Sequence, residues 1–188
     1  MLYFLRHTLA VLALPVTVVA IVPVWISRRY EAAASWPRGP AAITVVLLGI
    51  AVGLVGLGLF ISTLRLFAHE GRGTLAPWDP PRHLVVRGPY RYVRNPMIAG
   101  VLFMLVGIAL VLRSRPHAIW ALLFLGINAT YIPLLEEPPL EWRFGEEYRE
   151  YRRHVPRFLP RLRPWSGGPA EAQETPAVPA ASKRGDNR

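Results

Sequence analysis

Cysteine is absent from the 188-residue chain. That excludes disulfides, thiolate catalysis and cysteine-ligated zinc or iron–sulfur centres together. Charge is also scarce: 18% of the residues are Asp, Glu, Lys or Arg, against about 25% in an average soluble domain. The shortage is concentrated. Residues 7–26, 39–64, 95–112 and 116–135 contain no charged side chain of either sign, 84 residues in all. Each block is close to the roughly 20 residues that an apolar helix needs to cross a bilayer. A soluble globular domain is excluded, and so is any sizeable water-exposed one. Blocks without carboxylates or amines also argue against an intramembrane ion or proton pathway of the usual kind.

What charge there is leans to one sign. Lys and Arg number 22 against 12 Asp and Glu, a formal net charge of +10, and only one of the basic residues is Lys. The Arg residues flank the apolar blocks, which suits anionic lipid headgroups and topology signalling. No basic and aromatic platform of the kind that stacks nucleic acid strands is present, so nucleic acid is not an expected partner. The first block exceeds the roughly 7–15 residues of a signal-peptide core and is followed by Arg28 and Arg29. It reads as a span rather than a cleaved leader.

Four blocks predict an all-α, polytopic membrane protein with about four transmembrane helices and a C-terminal amphipathic interfacial helix. The expected segments are an N-terminal helix pair (1–64), a cytoplasmic loop (65–94), a helical hairpin with the interfacial helix (95–165) and a disordered tail (166–188). On four spans, 17 basic residues fall on the side of the termini and 5 on the other. The positive-inside bias then predicts both termini in the cytoplasm, in what is expected to be a bacterial cell membrane. Gly49, Gly53 and Gly56 share one face of the second helix at a spacing that permits close helix contact in lipid. Packing within the chain is favoured over homodimerisation. Pro15 and Pro23 are expected to bend the first helix, and Pro133 to end or kink the fourth.

Only Arg113-Ser114-Arg115 separates the third and fourth blocks, which therefore form an antiparallel hairpin. The hairpin brings Arg94-Asn95-Pro96 back to Glu136-Glu137. Beyond the glutamates, Leu140, Phe144, Tyr148, Tyr151 and Val155 recur at helical spacing, an apolar face for an interfacial or folded-back helix. Two readings of this end remain open on spacing alone. The Arg, Tyr and Trp residues are ordinary interfacial anchors beside a solvated glutamate pair, or they line a polar pocket for a cationic or zwitterionic ligand. The five His residues are dispersed, without metal-ligand spacing. No nucleophile–His–Asp arrangement and no phosphate-binding Gly-rich loop has the required context.

Two stretches carry a resemblance. GPYRYVRNPMIAG, followed after the hairpin by EEPPLEWRFGEEYREYRRHVPRFLP, resembles the isoprenylcysteine carboxyl methyltransferase and phospholipid methyltransferase family. The likeness runs from about Val85 to Pro160. It implies an integral membrane enzyme that uses S-adenosylmethionine to methylate a lipophilic acceptor entering from the bilayer, the carboxyl group of a prenylcysteine-like substrate or another lipid. It further implies a cofactor site built from Val85, Tyr90, Arg94, Asn95, Pro96, Ile98, Gly100, Glu136 and Glu137, with Arg94 and Asn95 in the catalytic role. The turn Gly88-Pro89-Tyr90 would place Tyr90 at the cofactor, and the glutamates would face its polar end. Three positions depart from the family pattern: Asn95 replaces a His, Ile98 replaces a Tyr, and Tyr131-Ile132-Pro133 stands where the eukaryotic carboxyl methyltransferases carry an Arg. These departures count against a prenylcysteine acceptor more than against the cofactor, because Asn can still hydrogen-bond. A phospholipid N-methyltransferase, an NADPH-dependent membrane reductase and a non-catalytic scaffold are the alternatives. Sterol reductases share a similar helix-entry motif, but an acidic residue tends to follow its Gly, whereas Val101 follows Gly100.

Overall fold

The computed structural model describes residues 14–30, 38–70, 84 and 86–167. All elements among these residues are helical. We number the α-helices α1 (Val22–Arg29), α2 (Pro40–Glu70), α3 (Pro96–Leu112), α4 (Arg115–Tyr131) and α5 (Glu137–His154), with a 3-10 turn at Gly88–Arg91 and π turns at Thr17–Ile21 and Ile132–Glu136. Pro40–Leu66 and the continuous helical run Arg115–His154 are long and apolar enough to cross a membrane, and α3 is a shorter apolar helix of 17 residues. The beginning of the first expected span and nearly all of the expected tail lie outside the described residues.

The core forms around α3. Ala99, Val101, Leu102, Leu105 and Ala109 are buried along it, while α2 leaves Leu47, Leu48, Leu54, Val55 and Ile61 exposed. Helix α3 lies antiparallel to α2, and the two meet through glycines. A Cβ on Gly56 would lie 2.6 Å from the Gly100 carbonyl oxygen, and one on Gly107 would lie 2.7 Å from that of Gly49. Backbone therefore meets backbone, which is what small residues allow where lipid gives helices little hydrophobic reason to associate. Gly49, Gly53 and Gly56 of the second block thus face α3 within the chain.

The hairpin between α3 and α4 is tighter than the sequence suggests. Arg113 adopts the left-handed conformation, with φ 49° and ψ 41°. Ser114 N–H reaches back to the Ala109 carbonyl at 3.0 Å and Arg113 N–H to that of Leu110 at 3.1 Å, the paired bonds of a Schellman stop. His117, one turn into α4 and 1% exposed, ties the N-terminal segment to this turn. Its Nε2 is 3.1 Å from the Pro23 carbonyl oxygen and its Nδ1 is 2.7 Å from Ser114 Oγ. A carbonyl only accepts, so Nε2 donates to Pro23, while Nδ1 shares a hydrogen bond with the Ser114 hydroxyl. Trp120 Nε1 adds a bond to the Val18 carbonyl at 3.1 Å.

The fourth block does not end at the glutamates. Pro133, Pro138 and Pro139 lack N–H groups, so a regular helix would orphan the carbonyls of Ala129, Leu134 and Leu135. The chain answers with the wide turn Ile132–Glu136, closed by the Glu137 N–H bonding the Ile132 carbonyl five residues back, and continues as α5. The same widening precedes Pro23, where the Val22 N–H bonds the Thr17 carbonyl. The real break comes at Gly145, whose φ of 54° and ψ of −124° interrupt α5. Pro133 thus widens the fourth helix rather than ending it.

Candidate functional site

Three segments converge at the end of the bundle opposite the α3–α4 hairpin. The first is the 3-10 turn Gly88–Arg91 with the residues leading into α3. Gly88 sits at φ +52°, where a side chain would be strained, and this turns the chain so that Val93 is fully buried and Pro96 opens α3. The second is α5, whose Tyr148 and Tyr151 are each 3% exposed and whose stop residue Val155 is 1% exposed. These pack with Val86, Leu84, Leu140, Phe144 and Trp165. The periodic apolar face beyond the glutamates therefore covers protein, folding back over the 84–95 segment.

The third segment was not anticipated. After α5 the chain runs back along residues 91–95 as a strap. Arg94 N–H donates to the Pro156 carbonyl at 2.8 Å and Asn95 N–H to that of Arg157 at 3.3 Å. Further on, Arg161 N–H donates to the Tyr92 carbonyl and Trp165 N–H to that of Arg91, both at 2.9 Å. Arg91 Nε returns a bond to the Trp165 carbonyl at 2.8 Å, and the Trp165 ring stacks on His154 with centroids 5.6 Å apart.

The polar centre lies where these segments meet. Glu137 Oε1 accepts from Arg94 Nη1 at 2.9 Å and from Arg157 Nε at 2.8 Å. The side chains of Glu137 and Arg94 are 7% and 10% exposed, that of Arg157 27%. Two guanidinium groups on one buried carboxylate oxygen make a charge-assisted clamp. It pins α5, the entry to α3 and the strap together. Tyr148 lies beside Arg94 and Glu137, and the Tyr151 hydroxyl donates to the Tyr90 carbonyl at 2.8 Å. Two groups in this region keep unspent capacity. Arg94 Nε is buried without a hydrogen-bond partner among the described residues. Glu136, half-buried, takes part in none of the ion pairs among the described residues.

Of the residues expected at the site, Arg94 and Glu137 are in direct contact, and Asn95, Pro96 and Glu136 adjoin them in the chain. Tyr90 joins through its carbonyl. Ile98 is half-buried in the first turn of α3 and brings only apolar surface. Gly100 lies in the seam with α2, where a Cβ would meet the Gly56 oxygen at 2.7 Å and Phe60 at 3.0 Å, so the structure gives it a helix-packing task. Val85 lies outside the described residues. Sequence reasoning missed Arg157, and the only available signal was weak. Pro156 and Pro160 forbid continuation of α5, and a basic residue sits between them.

A family profile described as phospholipid methyltransferase matches residues 44–147. The match reaches back into α2, well before the motif stretch that starts at Val85, and stops before the strap. No curated protein and no solved structure shows a significant match. More than half of the chain is covered by the profile, so the chain belongs to the phospholipid methyltransferase family.

Proposed function

We propose that this protein is an integral membrane, S-adenosylmethionine-dependent methyltransferase whose acceptor is a lipid. The observation that carries the reading is the polar centre beside the Arg94–Glu137–Arg157 clamp, where, among the described residues, Glu136 joins no ion pair and the buried Nε of Arg94 has no hydrogen-bond partner. This donor set fits S-adenosylmethionine. A carboxylate suits the ammonium of its amino-acid end, and a guanidinium N–H suits its carboxylate. When bound, that molecule supplies a methyl group on a positively charged sulfur.

The chain's own contribution is placement and exclusion of water. Glu136 binds and orients the cationic end, while Arg94, held by Glu137, binds the anionic end. Asn95 offers a neutral amide at the mouth of α3, where an imidazole base is missing. Its side chain does not cap α3, so the amide is not spent on the helix. Alignment in a dry pocket matters more here than strong acid–base groups. An amine acceptor needs a proton acceptor at some stage, and Glu136 is a carboxylate beside the clamp that joins none of its ion pairs. The Asn95, Ile98 and Tyr131-Ile132-Pro133 departures favour a phospholipid over a prenylcysteine.

In this reading the N-terminal segment, α2, α3 and α4 span the membrane in alternating directions. Both termini are cytoplasmic in a bacterial cell membrane, the cofactor enters from the cytoplasm and the lipid enters laterally. Calorimetric titration of detergent-purified protein with S-adenosylmethionine and NADPH tests the assignment, with binding of the former alone expected. Glu136→Gln is expected to weaken that binding on the order of tenfold to a hundredfold, the worth of a hydrogen bond to a charged group. Unaltered affinity in a folded Glu136→Gln protein overturns the cofactor site.

A further inference from the structure

The strap after α5 turns its backbone inward and two leucines outward. Four backbone bonds tie it to residues 91–95, while Leu159 and Leu162 are 69% and 100% exposed. Pro156, Pro160 and Pro164 punctuate the run and fix φ at each position, so a stiff segment presents the two leucines. The same bonds set its depth. Asn95 N–H donates to the Arg157 carbonyl, and the next residue, Pro96, opens the uncharged helix α3. With α3 as a span, Arg157 lies at the membrane boundary. The Tyr92 carbonyl, which accepts from Arg161 N–H, is only three residues before Asn95, at most about 10 Å of extended chain. Segments that lie in the interface reach about 5–10 Å into the boundary between headgroups and acyl chains. Leu159, between the two bonded positions, and Leu162, just after them, are within that reach. Charge here has one sign. Segments 84–95 and 155–167 hold six Arg and no carboxylate. Arg94 and Arg157 are answered by Glu137 from α5, whereas Arg163 is exposed and in none of the ion pairs among the described residues.

We propose that the strap docks on the anionic phospholipid surface of the bilayer, with Leu159 and Leu162 entering the headgroup–acyl boundary and Arg163 meeting the phosphates. Such a surface answers both halves of the pattern, since binding in the interface draws on buried apolar area and on attraction of cations to anionic lipid together. The interfacial role that the sequence assigns to the periodic face of α5 thus falls to the strap, because that face is covered by protein. The proposal rests on α3 crossing the bilayer and is independent of methyl transfer. It also gives lipid charge a route to the polar centre. The strap brings Arg157 to Glu137, so a surface that holds the strap holds the clamp closed.

The chain has no cysteine, so single nitroxide labels report cleanly on the full-length protein in phosphatidylcholine nanodiscs with and without phosphatidylglycerol. A label on the Leu162→Cys variant is expected to be reached by oxygen more readily than by a water-soluble nickel chelate, and to sit deeper when phosphatidylglycerol is present. Arg163→Gln is expected to lower the immersed population in anionic discs about fivefold, the worth of one cation near an anionic leaflet. Arg163→Glu is expected to abolish the dependence on phosphatidylglycerol. The unlabelled parent is expected to melt at a higher temperature in anionic discs. A Leu159→Ser, Leu162→Ser double variant is expected to lose that increment yet melt like the parent in phosphatidylcholine alone, because neither side chain is buried. A label on Leu122→Cys, exposed on α4, is the reference for the span. Leu122 in lipid with Leu162 in water overturns the proposal. So does a Leu162 label shielded from both reagents, the sign of a protein partner, or a depth indifferent to phosphatidylglycerol and to Arg163→Glu. Equal melting of the parent in both discs overturns the link to the clamp. A Leu122 label in water overturns the spanning reading itself, and the docking with it.

Discussion

At the residue scale the two adjacent glutamates are not equivalent. Glu137 is committed to two guanidinium groups and is nearly inaccessible, whereas Glu136 is half-buried and outside the clamp. Removing the charge of Glu137 leaves Arg94 and Arg157 without their counter-ion in a poorly solvated place. Breaking a buried ion pair from one side typically costs about 3–5 kcal/mol, and the partial exposure of Arg157 puts this case toward the lower end. Glu137→Gln is therefore expected to lower the melting temperature in detergent clearly, and Glu136→Gln hardly at all. Equal melting temperatures would show that the clamp is not a structural pin. The exposed pairs of Glu141 with Arg149 and Arg152 are a control, since surface pairs contribute little. Glu141→Gln is expected to leave melting unchanged.

At the element scale two junctions hold the site in place. One is the glycine seam that fixes α3 against α2. Gly56→Ala puts a methyl group within 2.8 Å of the Met104 nitrogen as well as against the Gly100 oxygen, and backbone cannot yield as a side chain can. Overpacking of this kind costs about 1–3 kcal/mol, so a fall in thermal stability is expected. Gly58→Ala, on the open face, is expected to be silent. The other junction is the strap. Its bond from Arg161 N–H to the Tyr92 carbonyl brings these residues' backbones close enough for a disulfide, which requires Cα atoms within about 7 Å. The chain has no cysteine of its own, so a Tyr92→Cys, Arg161→Cys double variant is a clean reporter. Oxidation is expected to crosslink it and to shift its electrophoretic mobility. A pair that stays reduced under oxidant would remove the strap from the site.

At the scale of the whole molecule, the side of the membrane that the polar centre faces decides which solutes can reach it. On the proposed four spans, the basic residues divide 17 to 5 in favour of the side that the termini and the 65–94 loop would share. A reporter enzyme fused after Arg188 is expected to be active only when it is of a kind that works in the cytoplasm. Activity of a reporter that works only outside would put Arg94 and Glu136 on the side away from the cytoplasmic supply of the proposed cofactor. The exposed apolar side chains of α2, Leu47, Leu48, Leu54 and Val55 among them, make sense together only with lipid as their neighbour, given how seldom soluble monomers expose such a patch.

The sequence by itself determined the membrane setting, the helical class, the hairpin and the approach of Arg94 to the glutamate pair. Uncharged blocks of spanning length and a three-residue connection leave few other ways to satisfy backbone and burial. It also pointed to Gly49, Gly53 and Gly56 as a packing face, because that face is defined by local spacing. Other features were decided by the tertiary structure alone. Whether Pro133, Pro138 and Pro139 end a helix depends on whether the carbonyls they orphan find another turn geometry, and here the wide turn Ile132–Glu136 supplies one. Whether the face of Tyr148, Tyr151 and Val155 meets lipid or protein depends on what folds over it, and Val86 and Trp165 do. The division of labour between Glu136 and Glu137 could not be read locally, since adjacent residues of one type differ only in the direction they point. That direction was fixed by the strap that returns after α5, which brings Arg157 to Glu137 and leaves Glu136 outside the clamp.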